Sequence, residues 1–528
     1  KMLCMAFLMA ASAILAGFFS ARVGAGIGKE LRGKMYEKVM SFSDAEMNRF
    51  STASLITRST NDIQQIQMVE TMVLRMILYA PIIGIGGIIK VLSTRSGMEW
   101  IIVVAVITLV AVVMVLMGVA MPRFKKMQIL VDRINLVARE ILTGLPVIRA
   151  FGREKKEEER FDDANVALTK NMLFTNRVMT FMMPLMMFIM YGVSILIVWV
   201  STDKINTGTI QVGTMTAFIT YSMQIVMAFL MITMFSVMLP RASVSAERID
   251  EVLNTKVSIE DKPDTKANPV ANGEVAFEHV SFAYPGAKEN VLEDISFVAK
   301  TGQTTAIIGG TGSGKTTLVN LIPRFFDVTK GKVMVDGTDI REMSQESLRE
   351  AIGYVPQKGV LFSGTIASNL RYGKEDATKE QVMDAARIAQ AKEIIDGKKD
   401  GLDSAIAQGG SNVSGGQKQR FSIARAIVKD PKIYIFDDSF SALDYKTDAI
   451  LRRELSKKTK EAAVIIVAQR ISTILHAEQI IVLNEGKVAG IGTHQELFDH
   501  CAVYREIAES QLSEADIAKL KAQGKEVM

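Results

Sequence analysis

The sequence predicts two domains of different class: an α-helical polytopic membrane domain followed by an α/β domain. Three observations carry this. Long apolar runs are confined to the first 240 of 528 residues. From residue 273 the pattern turns to short β-branched strands and ordinary soluble α/β sequence. Within that second half, GGTGSGKT at 309–316 places a glycine-rich loop between an apolar strand and a helix. A chain of this length exceeds a single hydrophobic core. Its mean hydropathy of +0.21 is high for a soluble protein. The net charge of +5 is modest, and no basic blocks interleaved with aromatics argue for nucleic acid. Cys4 and Cys501 lie at opposite ends and give no disulfide framework, which fits a reducing cytosol.

Five spans are read from the first half, at about 2–20, 73–93, 101–122, 179–200 and 210–240. Each is long enough to cross a hydrocarbon core of about 30 Å as a helix. The run at 73–93 is interrupted by Arg75 and Lys90 near its ends, where long side chains can snorkel. The connections at 94–99 and 201–209 are short. The segments 21–70 and 123–178 are long, helix-patterned and basic, with Arg22, Lys29, Arg32, Arg123, Lys125, Lys126 and Arg133 near span ends. The positive-inside rule places these long segments in the cytosol. The chain then starts outside and ends inside. MTFMMPLMMFIM at 179–190 reads either as an adaptable cavity lining or as packing filler and lipid contact. Tyr221 and Gln224 in the last span face a cavity or hydrogen-bond between helices. The membrane domain is expected over 1–255, a polar, proline-containing linker over 256–272, the α/β domain over 273–510, and a polar helix or tail over 511–528.

The loop at 309–316 matches G-x-x-x-x-G-K-[ST] in the strand–helix context that gives the match meaning. Its backbone N–H groups can form an anion nest around phosphates. Lys315 is placed to reach β/γ-phosphates and the Thr316 hydroxyl to ligate Mg²⁺. A second apolar strand, KIYIF, runs into Asp437 and Asp438. A carboxylate at the buried end of a strand is costly unless a cation or a reaction needs it, and Asp437 suits a Mg²⁺ shell, through water.

With NVSGGQKQR at 412–420, SALD at 441–444 and VIIVAQR at 464–470, the second half resembles the nucleotide-binding domain of an ABC transporter. The whole chain resembles a half-transporter of the ABC exporter type, over residues 1–510. The resemblance implies the following ATP contacts. Tyr284 is the aromatic that stacks on adenine. Gly309, Gly310, Thr311, Gly312, Ser313, Gly314, Lys315, Thr316 and Thr317 form the Walker A loop. Gln357 is the Q-loop glutamine and a Mg²⁺ ligand. Ser414, Gly415, Gly416 and Gln417 are the signature, with Val413 where leucine is more common, and Ser441–Asp444 is the D-loop. Two such domains would face head to tail and sandwich each ATP between one Walker A and the opposite signature. Short coupling helices are expected near 40–55 and 135–146. Half-transporters of this kind usually carry six spans, and the first, with its cytosolic elbow, is expected to be absent from this sequence. The resemblance also implies an integral protein of the cell membrane with its nucleotide-binding domain in the cytoplasm. The apolar first half excludes a soluble ABC-type ATPase of DNA repair or translation.

Two positions depart from the family pattern. Asp438 stands where a glutamate polarises the attacking water, and is one methylene shorter. Gln469 stands where a switch histidine contacts the γ-phosphate, and an amide cannot carry positive charge. A placement error of about 1 Å can cost about 10²-fold. Both changes meet at one phosphate, so the site is expected to bind ATP and hydrolyse it poorly. The intact VSGGQ and SALD would complete a working site on a partner half-transporter that keeps the glutamate and histidine. The expectation is a heterodimeric exporter subunit of multidrug type, with a hydrophobic or amphiphilic substrate and lipid contacts. A homodimeric exporter using Asp438, and an ATP-gated regulator or channel of the same fold, are the alternatives. IAQGGSN at 406–412 reads as a partner-specific surface or as neutral variation.

Overall fold

The computed structural model describes residues 1–94, 96–262, 265 and 269–512; the predicted 511–528 tail beyond Leu512 lies outside them. The chain divides into two units, Lys1–Met40 with Thr52–Thr255, and Ser41–Ser51 with Lys256–Met528.

The first unit is built from α1 (Met2–Met40), α3 (Thr52–Ser93), α4 (Glu99–Ala150), α5 (Glu154–Asn206) and α6 (Val212–Leu253), while the short α2 (Asp44–Arg49) belongs to the second. Among the described residues, five helices are long and apolar enough to cross a membrane, one at each of the five apolar runs read from the sequence. A separate short helix near 135–146 does not form, because α4 runs unbroken through Pro146 to Ala150. The reversal falls at Phe151–Arg153. There Gly152 adopts φ +60°, its N–H bonds the Arg149 carbonyl and the Arg153 N–H bonds that of Ile148. That pair of bonds is a Schellman cap, which needs a left-handed residue and so prefers glycine.

Helix packing in this unit relies on small residues. Ser20, Gly24 and Gly28 form the buried stripe of α1, and a Cβ on Gly24 would stand 2.2 Å from Thr71 Oγ1 of α3. Such spacing brings helix backbones together where lipid offers no hydrophobic drive. A π-helical turn at Arg58–Asp62 then turns two charges of α3 toward α6. Arg58 donates to Glu251 Oε2 at 2.8 Å and to the Arg248 carbonyl at 2.6 Å. Buried Asp62 accepts from Ser245 Oγ at 3.1 Å and pairs with Arg248 at 3.4 Å. The methionine-rich run divides by face. Met186 is buried with Leu109, Ile189 and Val226, and Met182 and Met190 pack beside it, while Met183 and Met187 are exposed. Tyr221 packs in the cluster around Phe218 and Ile225, and Gln224 is exposed.

In the second unit, β3 (Thr304–Gly309), β6 (Ile352–Val355), β9 (Ile433–Asp437), β10 (Ala463–Val467), β11 (Gln479–Asn484) and β12 (Lys487–Gly492) form one sheet in the order β12-β11-β3-β10-β9-β6. All its pairings are parallel except β11 with β12. Apart from the antiparallel edge strand β12, its strands are nearly continuous apolar runs, as expected for a sheet covered on both faces. Cores on either side contain Tyr434, Phe436, Val464 and Ile466, and Ile433, Ile435, Ile465 and Val467, which is strand alternation read directly. A second sheet, β2-β1-β4-β5, is antiparallel and uses β1 (Val275–Phe282), β2 (Leu292–Ala299), β4 (Lys330–Val335) and β5 (Thr338–Asp339), and the short β7 (Gly364–Thr365) and β8 (Ala405–Ile406) pair antiparallel by themselves.

α2 is held into this unit at its first turn. Ser43 and Glu46 form a capping box. The buried Glu46 carboxylate also accepts from the Ser258 N–H at 3.2 Å. At the far end of the chain the Ala502–Gln511 helix buries Tyr504 and Ala508 completely, and the Tyr504 hydroxyl shares a 2.7 Å hydrogen bond with His494 Nδ1.

Two outcomes follow. Gly24→Leu forces side-chain atoms into Thr71, and overpacking of this kind costs about 1–3 kcal/mol; the detergent-solubilised chain should melt lower by several degrees in a thermal scan. Burial holds the His494 imidazole below its ordinary value, with His476 adding and Asp499 opposing. The unfolded chain therefore binds the additional proton, so stability declines as pH falls below the ordinary 6.5. Melting curves across that range should show a shallower decline in His494→Gln.

Candidate functional site

Parallel strands point their C-terminal ends to one edge of the sheet, where ligands of open α/β folds bind. Here β3 ends at Gly309 and the loop after it runs over 310–314 to Lys315, β9 ends at Asp437, and the turn after β10 carries Gln469. Lys315 opens the next helix, and its ammonium folds back onto the carbonyls of Gly309 at 2.8 Å and Gly310 at 2.7 Å. Burial lowers its pKa, against the pull of Asp438 and Asp437. Thr316 Oγ1 donates to Asp437 Oδ1 at 3.1 Å.

Asp437 and Asp438 are both buried. Burial pushes the Asp437 carboxyl up, and its neighbour Asp438 adds to that, against the Thr316 hydrogen bond and Lys315. Burial likewise raises Asp438, against hydrogen bonds from Gln357 and Ser441 and the charges of Lys315 and Arg470. Asp438 lies at φ +47°, a left-handed conformation that aspartate tolerates better than most residues. Its Oδ2 accepts from two amides, Gln469 Nε2 at 2.7 Å and Gln357 Nε2 at 3.2 Å. The two residues that depart from the expected pattern thus touch, with the Q-loop position on the same oxygen.

Other motif residues are placed by helix caps. Ser414 is the N-cap of the Gly415–Lys429 helix and forms a capping box with Gln417. Asp444 caps the Tyr445–Lys458 helix through the Thr447 N–H at 3.0 Å. A Cβ on Gly416 would stand 3.1 Å from the Ala442 carbonyl, so signature and D-loop lie against one another. Among the described residues, Ser414, Gly415, Gly416 and Gln417 make no hydrogen bond to Lys315, Thr316, Asp437 or Asp438. Tyr284 Oη shares a 2.8 Å hydrogen bond with Thr317 Oγ1, and its ring stands edge-on to Phe282 and Phe326. Within IAQGGSN, the Asn412 amide ties the loop to the Ala405 carbonyl and the Ala407 N–H.

Two supports carried no sequence signal, and a third comes from the first residue of the D-loop. Gln419 donates to the Pro356 carbonyl at 3.1 Å, linking the signature helix to the Q-loop. Ser439, fully buried, donates to the Val355 carbonyl at 3.0 Å. Ser441 Oγ donates to the Asp438 carbonyl at 2.9 Å. Among the described residues no cluster of three or more His, Cys, Asp or Glu could hold a metal. A single buried carboxylate beside a threonine hydroxyl is the donor set of an ion that takes the rest of its shell from phosphate and water.

A membrane unit joined to a P-loop unit of this geometry defines an ATP-driven membrane transporter. Residues 2–229 match the family model for the ABC transporter transmembrane region, and residues 292–441 that of the ABC transporter. An uncharacterized ABC transporter ATP-binding protein of Mycobacterium tuberculosis is 44% identical, over 96% of this chain and 87% of its own length. An ATP-dependent lipid A-core flippase of Pseudomonas aeruginosa is 31% identical, over 92% and 80%. The structure of a bacterial Atm1-family ABC exporter with ATP bound superposes with a TM-score of 0.79 at 26% identity, covering 93% of this chain and 86% of that one. The chain belongs to the ABC transporter family. It is an exporter half-transporter with fused membrane and ATP-binding domains, integral to the membrane with the ATP-binding domain in the cytoplasm.

Replacing Lys315 by Met removes the one ammonium in the loop. Charged hydrogen bonds contribute about 1.5–3 kcal/mol, so titration with a fluorescent ATP analogue should show affinity weakened by about 10- to 100-fold.

Proposed function

We propose that this half-transporter works as one subunit of a heterodimeric exporter and that the ATP site on its own Walker A retains nucleotide and turns it over slowly. The observation that carries this reading is the pair of amides on Asp438. A group that orients the attacking water needs a free carboxylate oxygen in reach of it. Here Gln469 and Gln357 both donate to Oδ2 and anchor the carboxylate, so that Oδ1 alone is left to meet a water; the side chain that must carry it there is a methylene shorter than glutamate, and the switch position carries no cation for the developing phosphoryl charge. The remaining contacts favour binding. Gly309–Thr317 would enclose the phosphates, Tyr284 would meet the adenine, and Thr316, Gln357 and Asp437 would hold Mg²⁺, which screens phosphate charge when bound.

The capped signature at Ser414–Gln417, together with Asp444, would then complete the site on a partner half-transporter that has glutamate and histidine at the two positions. The membrane domain over 1–255 would carry the substrate, with 256–272 as linker to the ATP-binding domain. A relative named as a lipid A-core flippase favours a hydrophobic or amphiphilic substrate, which the exposed Met183 and Met187 suit.

The test is turnover by the purified chain alone in lipid nanodiscs. Slow hydrolysis is expected, rising by at least about tenfold in the double variant Asp438→Glu, Gln469→His, since each effect acts on the transition state. Brisk turnover that vanishes in Asp438→Asn would overturn the reading and favour a homodimer. Transport by the co-expressed pair that persists when the partner's site is inactivated would also count against it.

A further inference from the structure

We infer that Gln511, at the end of the Ala502–Gln511 helix, is a positioning residue for the loop that carries Gln469. Its side-chain amide brackets that loop: Oε1 accepts from the Ile471 N–H at 2.9 Å, and Nε2 donates to the Gln469 carbonyl at 2.8 Å. The two bonds run in opposite senses across Arg470, as in a strand pairing, so they fix both the height and the tilt of the loop.

The bracket answers a local deficit. The helix Ile471–Ile474 begins at Arg470, which supplies no side-chain cap, and the first N–H groups of any helix need a partner from outside it. A glutamine about forty positions further along the chain provides that partner. Its own position is firm, because Tyr504 and Ala508 on the same helix are fully buried, the Tyr504 hydroxyl bonds His494, and Arg505 donates to the Phe498 and Asp499 carbonyls. On its other side the loop reaches the D-loop, where Arg470 donates to the Ser441 carbonyl at 3.3 Å. A cavity of about 410 Å³, lined by Ser441, Gln469, Arg470, Ser472, Gln511 and Leu512, lies open at this junction. Rotation of the loop into that space would carry Gln469 away from Asp438, and Gln511 opposes it. The C-terminal helix thereby sets the reach of the Gln469 amide toward Asp438 and bound nucleotide.

This inference rests on the reading of Gln469 as a residue at the reacting end of the ATP site, so Gln469→Ala serves as the reference variant. The full chain in nanodiscs is compared as wild type, Gln511→Ala, Gln511→Glu and Gln469→Ala. Three quantities are measured: hydrogen exchange of the Ile471 amide, association and release rates of a fluorescent ATP analogue with Mg²⁺, and thermal midpoint. Gln511→Ala should speed Ile471 exchange and accelerate analogue release by about fivefold, the equivalent of one net hydrogen bond. Association rate and thermal midpoint should stay at wild-type values. Gln511→Glu keeps the acceptor for Ile471, so it should restore that amide's protection and give an intermediate release rate. Unchanged Ile471 exchange in Gln511→Ala would overturn the bracket. Faster exchange with unchanged release, while Gln469→Ala does accelerate release, would overturn the positioning role alone. A silent Gln469→Ala would overturn the reading on which it rests, and this inference with it. A fall in midpoint that tracks the change in release would assign Gln511 a structural role only.

Discussion

Asp437 ends a strand whose every residue is buried and Asp438, also buried, follows it directly; the surrounding site is arranged to make that tolerable. Two adjacent carboxylates in a low-dielectric setting repel and lose hydration together. Their partners come from separate parts of the chain: Thr316 from the helix after β3, Gln357 from the loop after β6, Gln469 from the turn after β10, and Lys315 as the nearby cation. Only a parallel sheet with β3, β10 and β9 adjacent delivers those ends to one edge. Removing a partner leaves a buried acceptor unsatisfied, at about 1–3 kcal/mol. The site is therefore stable as a set and sensitive in each member.

The same constraint explains why the two departures matter jointly. A shorter carboxylate at a left-handed backbone position sits close enough for a glutamine to reach, and a neutral amide can rest on it without protonation. Each residue satisfies the other. In the proposed function, this pairing is what would let the site hold nucleotide and turn it over slowly. Outside the sheet, the support passes through side-chain-to-backbone bonds, from Ser439 and Gln419 to the Q-loop segment and from Gln511 to the switch loop. In the membrane unit the corresponding economy is steric, with Ser20, Gly24 and Gly28 admitting α3 closely.

Much of this was legible in the residues. Spans declare themselves because burying a helix in lipid demands about twenty apolar positions in a row. The phosphate loop, Asp437 and the signature declare themselves because phosphate and Mg²⁺ demand particular donors at fixed spacing. Less legible were features defined by distant neighbours. The short coupling helix expected near 135–146 is instead part of α4, which accommodates Pro146 and ends in the Gly-based cap at 151–153. The face of the methionine-rich run that packs inward depends on where α4 and α6 lie, and α2 groups by its contacts with the second unit although it stands between two membrane helices.

By itself, then, the sequence determined the membrane and α/β classes and the family, and it singled out the residues proposed to meet ATP, because local hydropathy and phosphate chemistry are written in contiguous residues. It also exposed Asp438 and Gln469 as unusual. Only the tertiary structure decided that these two touch, that Gln357 shares the same oxygen, and that Gln511 braces the loop from behind. Those facts depend on strand order and on a glutamine distant in sequence, and hydrogen bonds between distant side chains leave no periodic trace in the chain that makes them.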